Sequence, residues 1–293
     1  MFTSSIIFAL AGASLQLPSV QKWWPTFVAA HGDTCWLTVF VPWAIGVVVY
    51  WSFGLMMLAV EINRWPLIVF GRKIQPSVTL QLRGSVLQPP LLRCCCVVLF
   101  NQCFVMLPTL LVIVRPPCLI FALHCDSRPG QHLPALHWHT RRAAAAFAPA
   151  HGACSSLLFF MLLLLLCELL RVQVRDAAAS GVLVEVLFYT SHRLLHSGPL
   201  YRFHKLHHAY KAPIALAALY AHPLEAMLGN TIAVMAPAYI AGIHSYSWMW
   251  GVALGFVSTQ AHHCGFNLDG VAHDRHHQYS NVEFGHLGFM DYL

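Results

Sequence analysis

Residues 191–208 read SHRLLHSGPLYRFHKLHH and place five histidines in one short stretch of a strongly apolar chain. The spacing is HxxxH followed by HxxHH, and a third group, HDRHH, occupies residues 273–277. Residues three and four apart share one face of a helix, so each group can point its imidazoles toward one spot. A pH-sensing patch is the alternative, but three groups of matched spacing favour a metal site.

The three groups supply eight candidate ligands: His192, His196, His204, His207, His208, His273, His276 and His277. Imidazole is a ligand suited to iron, zinc, copper or nickel. Because one zinc ion is normally satisfied by four ligands, eight histidines predict two metal ions.

Other polar residues lie near these groups in the sequence. Glu185 and Tyr189 share a helical face with His192, and Glu185 is expected to accept the second N–H of a ligating ring. His222 with Glu225, and His262 with His263, are candidates to complete the site. The alternative for each single histidine is an ordinary interfacial or hydrogen-bonded side chain.

The composition, 58% apolar and 10% charged, predicts an all-α integral membrane protein with about four transmembrane or re-entrant helical elements. Three uncharged runs are expected to be membrane helices: Thr34–Val60, Cys94–Val114 and Cys154–Cys167. A fourth, Ala226–Ala261, is interrupted by Pro237, Gly242 and His244 and is expected to form a re-entrant or interfacial hairpin. It must return to the side it left if the third histidine group joins the first two.

Three sections are predicted: residues 1–121 with two membrane segments around the polar loop Glu61–Arg93, an irregular insert at 122–153, and the histidine-rich part at 154–293. The first eighteen residues are expected to be a membrane-associated leader. Basic residues favour the cytoplasm for the loop and for the segment after the third run. The net charge of +6 is dispersed, which argues against nucleic acid as a partner.

The quoted residues resemble the fatty acid hydroxylase/sterol desaturase superfamily, with its HxxxH, HxxHH and HxxHH boxes in order and the HPLE element between them. The likeness covers roughly Cys154–Leu293, and HKLHHAYKAPIALAALYAHPLE is most similar to the 4-methylsterol monooxygenase branch and its fatty acid hydroxylase domain relatives.

This resemblance implies a multi-pass oxygenase of the endoplasmic reticulum membrane, with the boxes on the cytoplasmic side. It implies a non-haem di-iron centre held by the boxed histidines, O2 as co-substrate, and His263 as a further family histidine. Electrons would come from NAD(P)H through a b-type cytochrome and its reductase. No CxxCH or GxGxxG motif occurs in the chain, which fits a separate electron carrier.

The predicted function is oxidation of C–H bonds in a lipid, foremost the methyl groups of a 4-methylsterol in sterol biosynthesis. A fatty acyl or sphingolipid hydroxylase is the nearest alternative. The sequence departs from the family where Val186 follows Glu185 and where the chain stops at MDYL. These departures keep open a catalytically inactive, metal-binding membrane protein.

Overall fold

The computed structural model describes residues 36–113, 178–240, 245–268 and 270–293. This part of the chain is helical and contains no β-strand, apart from one isolated bridge between Lys73 and Phe266. The leader, the insert and the third apolar run, Cys154–Cys167, lie outside the described residues.

The helices follow one another along the chain, with short 3-10 turns at His207–Ala209, Ala215–Leu219 and Met290–Tyr292. They are α1 (Val41–Asn63), α2 (Leu67–Phe70), α3 (Leu91–Ile113), α4 (residues 178–195), α5 (Tyr201–His204), α6 (residues 223–240), α7 (Ser245–His263) and α8 (Val271–Tyr279). Within α6, the stretch Ala226–Ile232 is π-helical.

Two of the predicted apolar runs are long helices. Both α1 and α3 have 23 residues and are apolar enough to cross a membrane by length and composition. Only 28% of the most apolar window of each is buried, so much of their apolar surface faces outward. Val48, Phe104 and Val112 are among the exposed apolar side chains. An outward apolar surface on two helices of this length is what a lipid environment requires.

Helix α1 packs closely against α7 at two glycines. A Cβ atom added to Gly46 would overlap the ring of Phe256, and one added to Gly54 would overlap Gln260 and Leu216. Small residues allow helix backbones to approach, as they do between membrane helices. The two helices therefore form one packed unit.

Residues 210–221, here called the strap, run between α1, α3 and α7 and are almost entirely buried. Their irregular backbone obtains hydrogen bonds from side chains of all three helices. The Tyr50 hydroxyl donates to the carbonyl of Leu216 (2.9 Å), while Asn101 and Gln260 donate to other strap carbonyls. Since the strap follows directly on the second histidine box, HKLHH, these bonds fix that box against the helices.

The loop between α1 and α3 contacts the turn after α7. The Ile74 N–H donates to the carbonyl of Gly265 (2.9 Å), and the Asn267 N–H donates to the carbonyl of Arg72 (2.8 Å). This loop therefore lies on the same side of the molecule as the end of α7.

Helices α6 and α7 leave the histidine region and return to it. At the start of α6, Glu225 Oε1 lies 2.9 Å from Nδ1 of His204. At the end of α7, Nε2 of His263 lies 3.2 Å from Nε2 of His207. Both ends of the predicted hairpin therefore lie beside the histidines. This is what allows the third histidine box, HDRHH, to join the first two boxes.

Candidate metal centre

The first histidine box lies on α4. His192 is on the last turn of the helix, and His196 follows at its end, so the two rings share one face as predicted. Their ring centroids are 5.2 Å apart.

The second box does not form one continuous helix. Helix α5 ends at His204, and the chain then forms a 3-10 turn that carries His207 and His208. The third box lies on α8, where His273, His276 and His277 are buried.

Nine histidines form two groups. The first group contains His192, His196, His204, His208 and His276. The second group contains His207, His263, His273 and His277. In each group one nitrogen from every ring lies within 4.8 Å of the others.

The second and third boxes are divided between these groups, so the prediction that each box points toward one spot is wrong for both. His204 and His208 join the first group and His207 joins the second, because the chain turns between them. On α8, His273 and His277 are one turn apart, whereas His276 is rotated by about 100° from His277 and faces the first group.

The Nε2 atoms of the first group converge on one point. His208 Nε2 lies 3.0 Å from that of His204, 3.2 Å from that of His196 and 3.1 Å from that of His276. Nε2 of His192 lies 3.1 Å from that of His204.

The second group shows the same arrangement around His263. Its Nε2 lies 3.2 Å from Nε2 of His207 and 2.9 Å from Nε2 of His273. Nε2 of His277 is buried and has no hydrogen-bond partner in the protein. The group therefore presents an unpaired nitrogen toward its own centre.

The partners of the Nδ1 atoms determine where the ring protons lie. Nδ1 of His192 faces the carbonyl of Phe284 (2.8 Å), and Nδ1 of His276 faces that of Val282 (2.6 Å). A carbonyl can only accept, so Nδ1 carries the proton and Nε2 of each neutral ring carries a lone pair.

Two rings of the first group meet at their Nε2 atoms. His204 turns Nδ1 toward Oε1 of Glu225, 2.9 Å away, so its Nε2 faces the inside of the group. The Nε2 lone pair of His192 points at this atom across 3.1 Å. A cation between the two rings would bind both nitrogens.

Burial keeps the rings neutral. Desolvation, strengthened by neighbouring imidazoles, lowers the pKa of His196 to about 3 and places that of His192 well below its usual range. Desolvation also lowers the pKa of His276 to about 4, although the Val282 carbonyl opposes the shift. Neutral imidazole is the form that binds metal.

The donor set fits two transition-metal ions. Two nitrogens that bind one ion at right angles with bonds of about 2.1 Å lie about 3.0 Å apart, which matches the distances within both groups. The Nδ1–H contacts to carbonyl and carboxylate oxygens are those expected of ligating histidines. The residues of this chain are therefore suited to hold a metal pair.

The structure places Glu185 differently from the prediction. Its carboxylate accepts the backbone N–H groups of Leu287 (2.6 Å) and Met290 (3.2 Å) rather than an imidazole N–H. The reason is distance, because Glu185 lies two helical turns, about 10 Å, before His192. The nearby Tyr189 packs edge-on against Phe284, with centroids 6.4 Å apart.

His222 is not brought into either group. Its Nδ1 accepts the N–H of Leu224 (3.2 Å) and caps the start of α6. His262 also lies outside both groups, and its ring is 4.9 Å from that of His286.

Sequence reasoning missed two polar contacts that hold the third box and the C-terminal segment. Gln75 donates to both carboxylate oxygens of Asp274 at 2.9 Å, from a loop 199 residues away in the chain. Asp291 accepts the N–H groups of Phe284 (2.7 Å) and Gly285 (2.8 Å). The acidic residue within HDRHH was a signal for the first contact, but nothing in the sequence identified its partner.

A mostly apolar cleft reaches the second group. His263 and His273 lie at one end, and apolar side chains of α3, α4, α6 and α7 form most of the wall. Phe188, Val234 and Val252 are examples. Such a concave, mostly apolar space with polar groups at one end is typical of a small-molecule site.

Residues 177–293 match the family model described as fatty acid hydroxylase. The family resemblance predicted from the histidine boxes is therefore confirmed for the part of the chain that carries them. All nine histidines of the two groups lie within the matched range.

Three relatives illustrate the similarity. Human fatty acid hydroxylase domain-containing protein 2 is 28% identical over 291 residues, covering 93% of this chain and 71% of its own. Fatty acid hydroxylase ahd1 of Mycosarcoma maydis is 34% identical over 115 residues, 36% of this chain and 29% of its own. Methylsterol monooxygenase 2-2 of Arabidopsis thaliana is 32% identical over 130 residues, 38% of this chain and 48% of its own. No solved structure matches.

Proposed function

We propose that this chain is a membrane-bound non-haem di-iron oxygenase that uses O2 to oxidise C–H bonds of a lipid. The observation that carries the proposal is the pair of buried histidine groups, in which ring nitrogens face one another at about 3 Å. The match of residues 177–293 to the fatty acid hydroxylase family supports the same reading.

Iron is the metal that suits both the ligands and the reaction. Imidazole accepts several transition metals, but zinc is redox-inert and cannot activate O2. Bound iron would supply the oxidising power needed to attack an unactivated C–H bond. His192, His196, His204, His208 and His276 would hold one ion, and His207, His263, His273 and His277 the other.

The protein around the ligands fixes their protonation and orientation. Carbonyl groups of Phe284, Val282 and Tyr210 each accept the Nδ1–H of one ligand, at 2.8, 2.6 and 2.9 Å. Oε1 of Glu225 lies 2.9 Å from Nδ1 of His204. The carbonyl contacts keep the Nε2 lone pairs of His192, His276 and His277 directed inward, without a proton to remove before a metal would bind.

The cleft would admit the lipid and keep water from the reacting carbon. Its apolar wall includes α3, which has an outward apolar surface, so a lipid could enter from the bilayer. We place a methyl group of a 4-methylsterol foremost as the oxidised position. The similarity to a plant protein named methylsterol monooxygenase supports this choice.

A fatty acyl or sphingolipid hydroxylase is the second candidate. The family description and the similarity to a fungal protein named fatty acid hydroxylase favour it. The apolar walls of the cleft suit a long acyl chain as well as a sterol.

The protein would act in the membrane of the endoplasmic reticulum with the histidines on the cytoplasmic side. Electrons would reach it from NAD(P)H through a b-type cytochrome and its reductase. Exposed basic residues near the site, including Arg193, Arg202 and Lys205, would steer an acidic carrier.

Lipid and sterol profiling of cells lacking the protein tests the proposal. The 4-methylsterol reading predicts accumulation of 4-methylsterols, whereas the acyl reading predicts loss of a hydroxylated acyl lipid. Purified protein with reductase, cytochrome and O2 should convert the accumulating lipid. An unchanged lipid profile together with no O2-dependent product would overturn the oxygenase assignment and favour an inactive metal-binding protein.

A further inference from the structure

We infer that Asn230 binds an oxygen atom of the lipid in the cleft and so selects lipids that carry a hydrogen-bond acceptor at that position. The inference rests on the proposed function, because it concerns the substrate of the same site. It adds a specificity-determining residue that lies outside the histidine groups.

The first observation is the position of Asn230. It lies on α6, five residues after Glu225, and lines the same cleft as His263 and His273. Val184 and Phe188 of α4 line the cleft as well. Asn230 is the one carboxamide side chain among the described residues that line this space. A lipid that extends toward the second histidine group would therefore pass a polar side chain within apolar walls.

The second observation is the state of its amide group. The Nδ2 atom of Asn230 is buried and has no hydrogen-bond partner within the protein. Buried amide donors are normally paired, since leaving one unpaired is costly. A partner supplied by a bound ligand accounts for an amide that the protein itself leaves unpaired.

The backbone around Asn230 supports a functional reading. Ala226–Ile232 is π-helical, and the Thr231 hydroxyl donates to the carbonyl of Ala226 across this stretch (2.7 Å). Single π-helical turns shift the side chains that follow and occur frequently at functional sites. On the preceding residue, Gly229, an added Cβ would be in ordinary contact with Leu195. The π-helical stretch therefore lies close against α4.

The chemistry of the amide defines the ligand class. Nδ2 is a donor, so the matching group is an oxygen acceptor such as a sterol hydroxyl or an acyl carbonyl. A site that hydrogen-bonds such a group rejects an analogue without it, because its own buried donor is then left unpaired. We expect a discrimination of about tenfold or more from one such contact.

Binding to the purified full chain in nanodiscs, without reductant, tests the inference. One pair of probes is a 4-methylsterol and its 3-deoxy analogue; the other is a long-chain fatty acyl amide and the alkane of equal length. In one pair, the wild type should bind the oxygen-bearing lipid about tenfold more tightly. Asn230→Leu should reduce that ratio to within about twofold, and the responding pair identifies the source of the oxygen.

Two further variants make the result decisive. Val234→Leu alters the same wall without touching a donor and should keep the wild-type ratio. Asn230→Ala removes the amide donor without adding bulk to the cleft, so it replaces Asn230→Leu if the latter fails to bind the oxygen-free lipid. A wild-type ratio near one in both pairs, or a ratio unchanged by loss of the amide, would overturn the inference. If the ratio responds but the reduced protein oxidises neither lipid, the proposed function fails and the binding site stands.

Discussion

Glu225 Oε1 lies 2.9 Å from Nδ1 of His204, and both side chains are almost fully buried. The carboxylate reaches this ring from the start of α6, 21 positions further along the chain. Because it faces Nδ1, Nε2 of the ring is directed toward the first histidine group. A carboxylate that orients a ligating histidine in this way also raises the basicity of the ligand.

Replacing this carboxylate should weaken metal binding. Glu225→Gln keeps the shape but removes the charge, and we expect iron affinity at the first group to fall by about 10- to 100-fold. Competition with a chelator of known affinity measures the change. Glu283→Gln is the control, because its half-exposed pair with Arg275 makes no contact with the histidine rings. Equal losses in both variants would show that Glu225 has no special role.

The stability of the strap should depend on Tyr50. Its hydroxyl donates to the Leu216 carbonyl and accepts the Leu219 N–H (3.2 Å). Tyr50→Phe therefore leaves the buried Leu219 N–H unpaired, and the Leu216 carbonyl keeps only the weak thiol donor of Cys94. We expect a loss of about 1–3 kcal/mol in the free energy of unfolding, seen as a lower Tm in detergent. Tyr279→Phe, at an exposed ring, should leave Tm unchanged. A Tm for Tyr50→Phe equal to that of the wild type would contradict the packing described for the strap.

Replacing His207 should abolish activity, whereas replacing His222, from the same region of the sequence, should not. His207→Ala removes a ligand of the second group and should abolish O2-dependent lipid oxidation while the protein still inserts into membranes. His222→Ala removes only a helix cap, worth about 1 kcal/mol, and should retain activity. Product formation in matched membrane preparations measures both. Comparable loss of activity in the two variants would mean that the metal site has been assigned to the wrong residues.

The second and third boxes should face the same side of the membrane. Ligands of one centre cannot be separated by a hydrocarbon layer about 30 Å thick. Lys205 and Tyr279 are exposed positions beside these boxes. Single cysteines there, in a chain otherwise free of cysteine, should react with a membrane-impermeant reagent from the same side. Labelling from opposite sides would refute the shared centre.

Much of the site follows from local spacing. HxxxH on α4 and the one-turn spacing of His273 and His277 on α8 place rings on common helical faces. Spacing of this kind can be recognised from the sequence alone. The division of the boxes between two groups was not predictable, because it depends on where α5 ends and on how α8 is rotated. The rotation of α8 is fixed by the contacts of His276 with the Val282 carbonyl and of His277 with the Tyr210 carbonyl of the strap.

Long-range contacts are the part that sequence could not supply. Tyr50, Asn101 and Gln75 lie in apolar runs or loops that carry no motif, yet they bind the strap and the third box from more than 100 positions away. For Glu185 the sequence predicted the helical face correctly but the wrong partner. Its carboxylate binds the backbone of the C-terminal segment and not a histidine ring. Periodicity predicts which face of a helix a side chain lies on, but it does not predict which residues that face contacts.

Metal content tests the central claim most directly. Protein purified in detergent and reconstituted anaerobically with Fe(II) should hold close to two iron atoms per chain, and His196→Ala or His277→Ala should each lower that content by disturbing one group. After reduction, the wild type should consume O2 in the presence of the lipid. A single zinc ion that iron cannot replace, with no consumption of O2, would contradict the account.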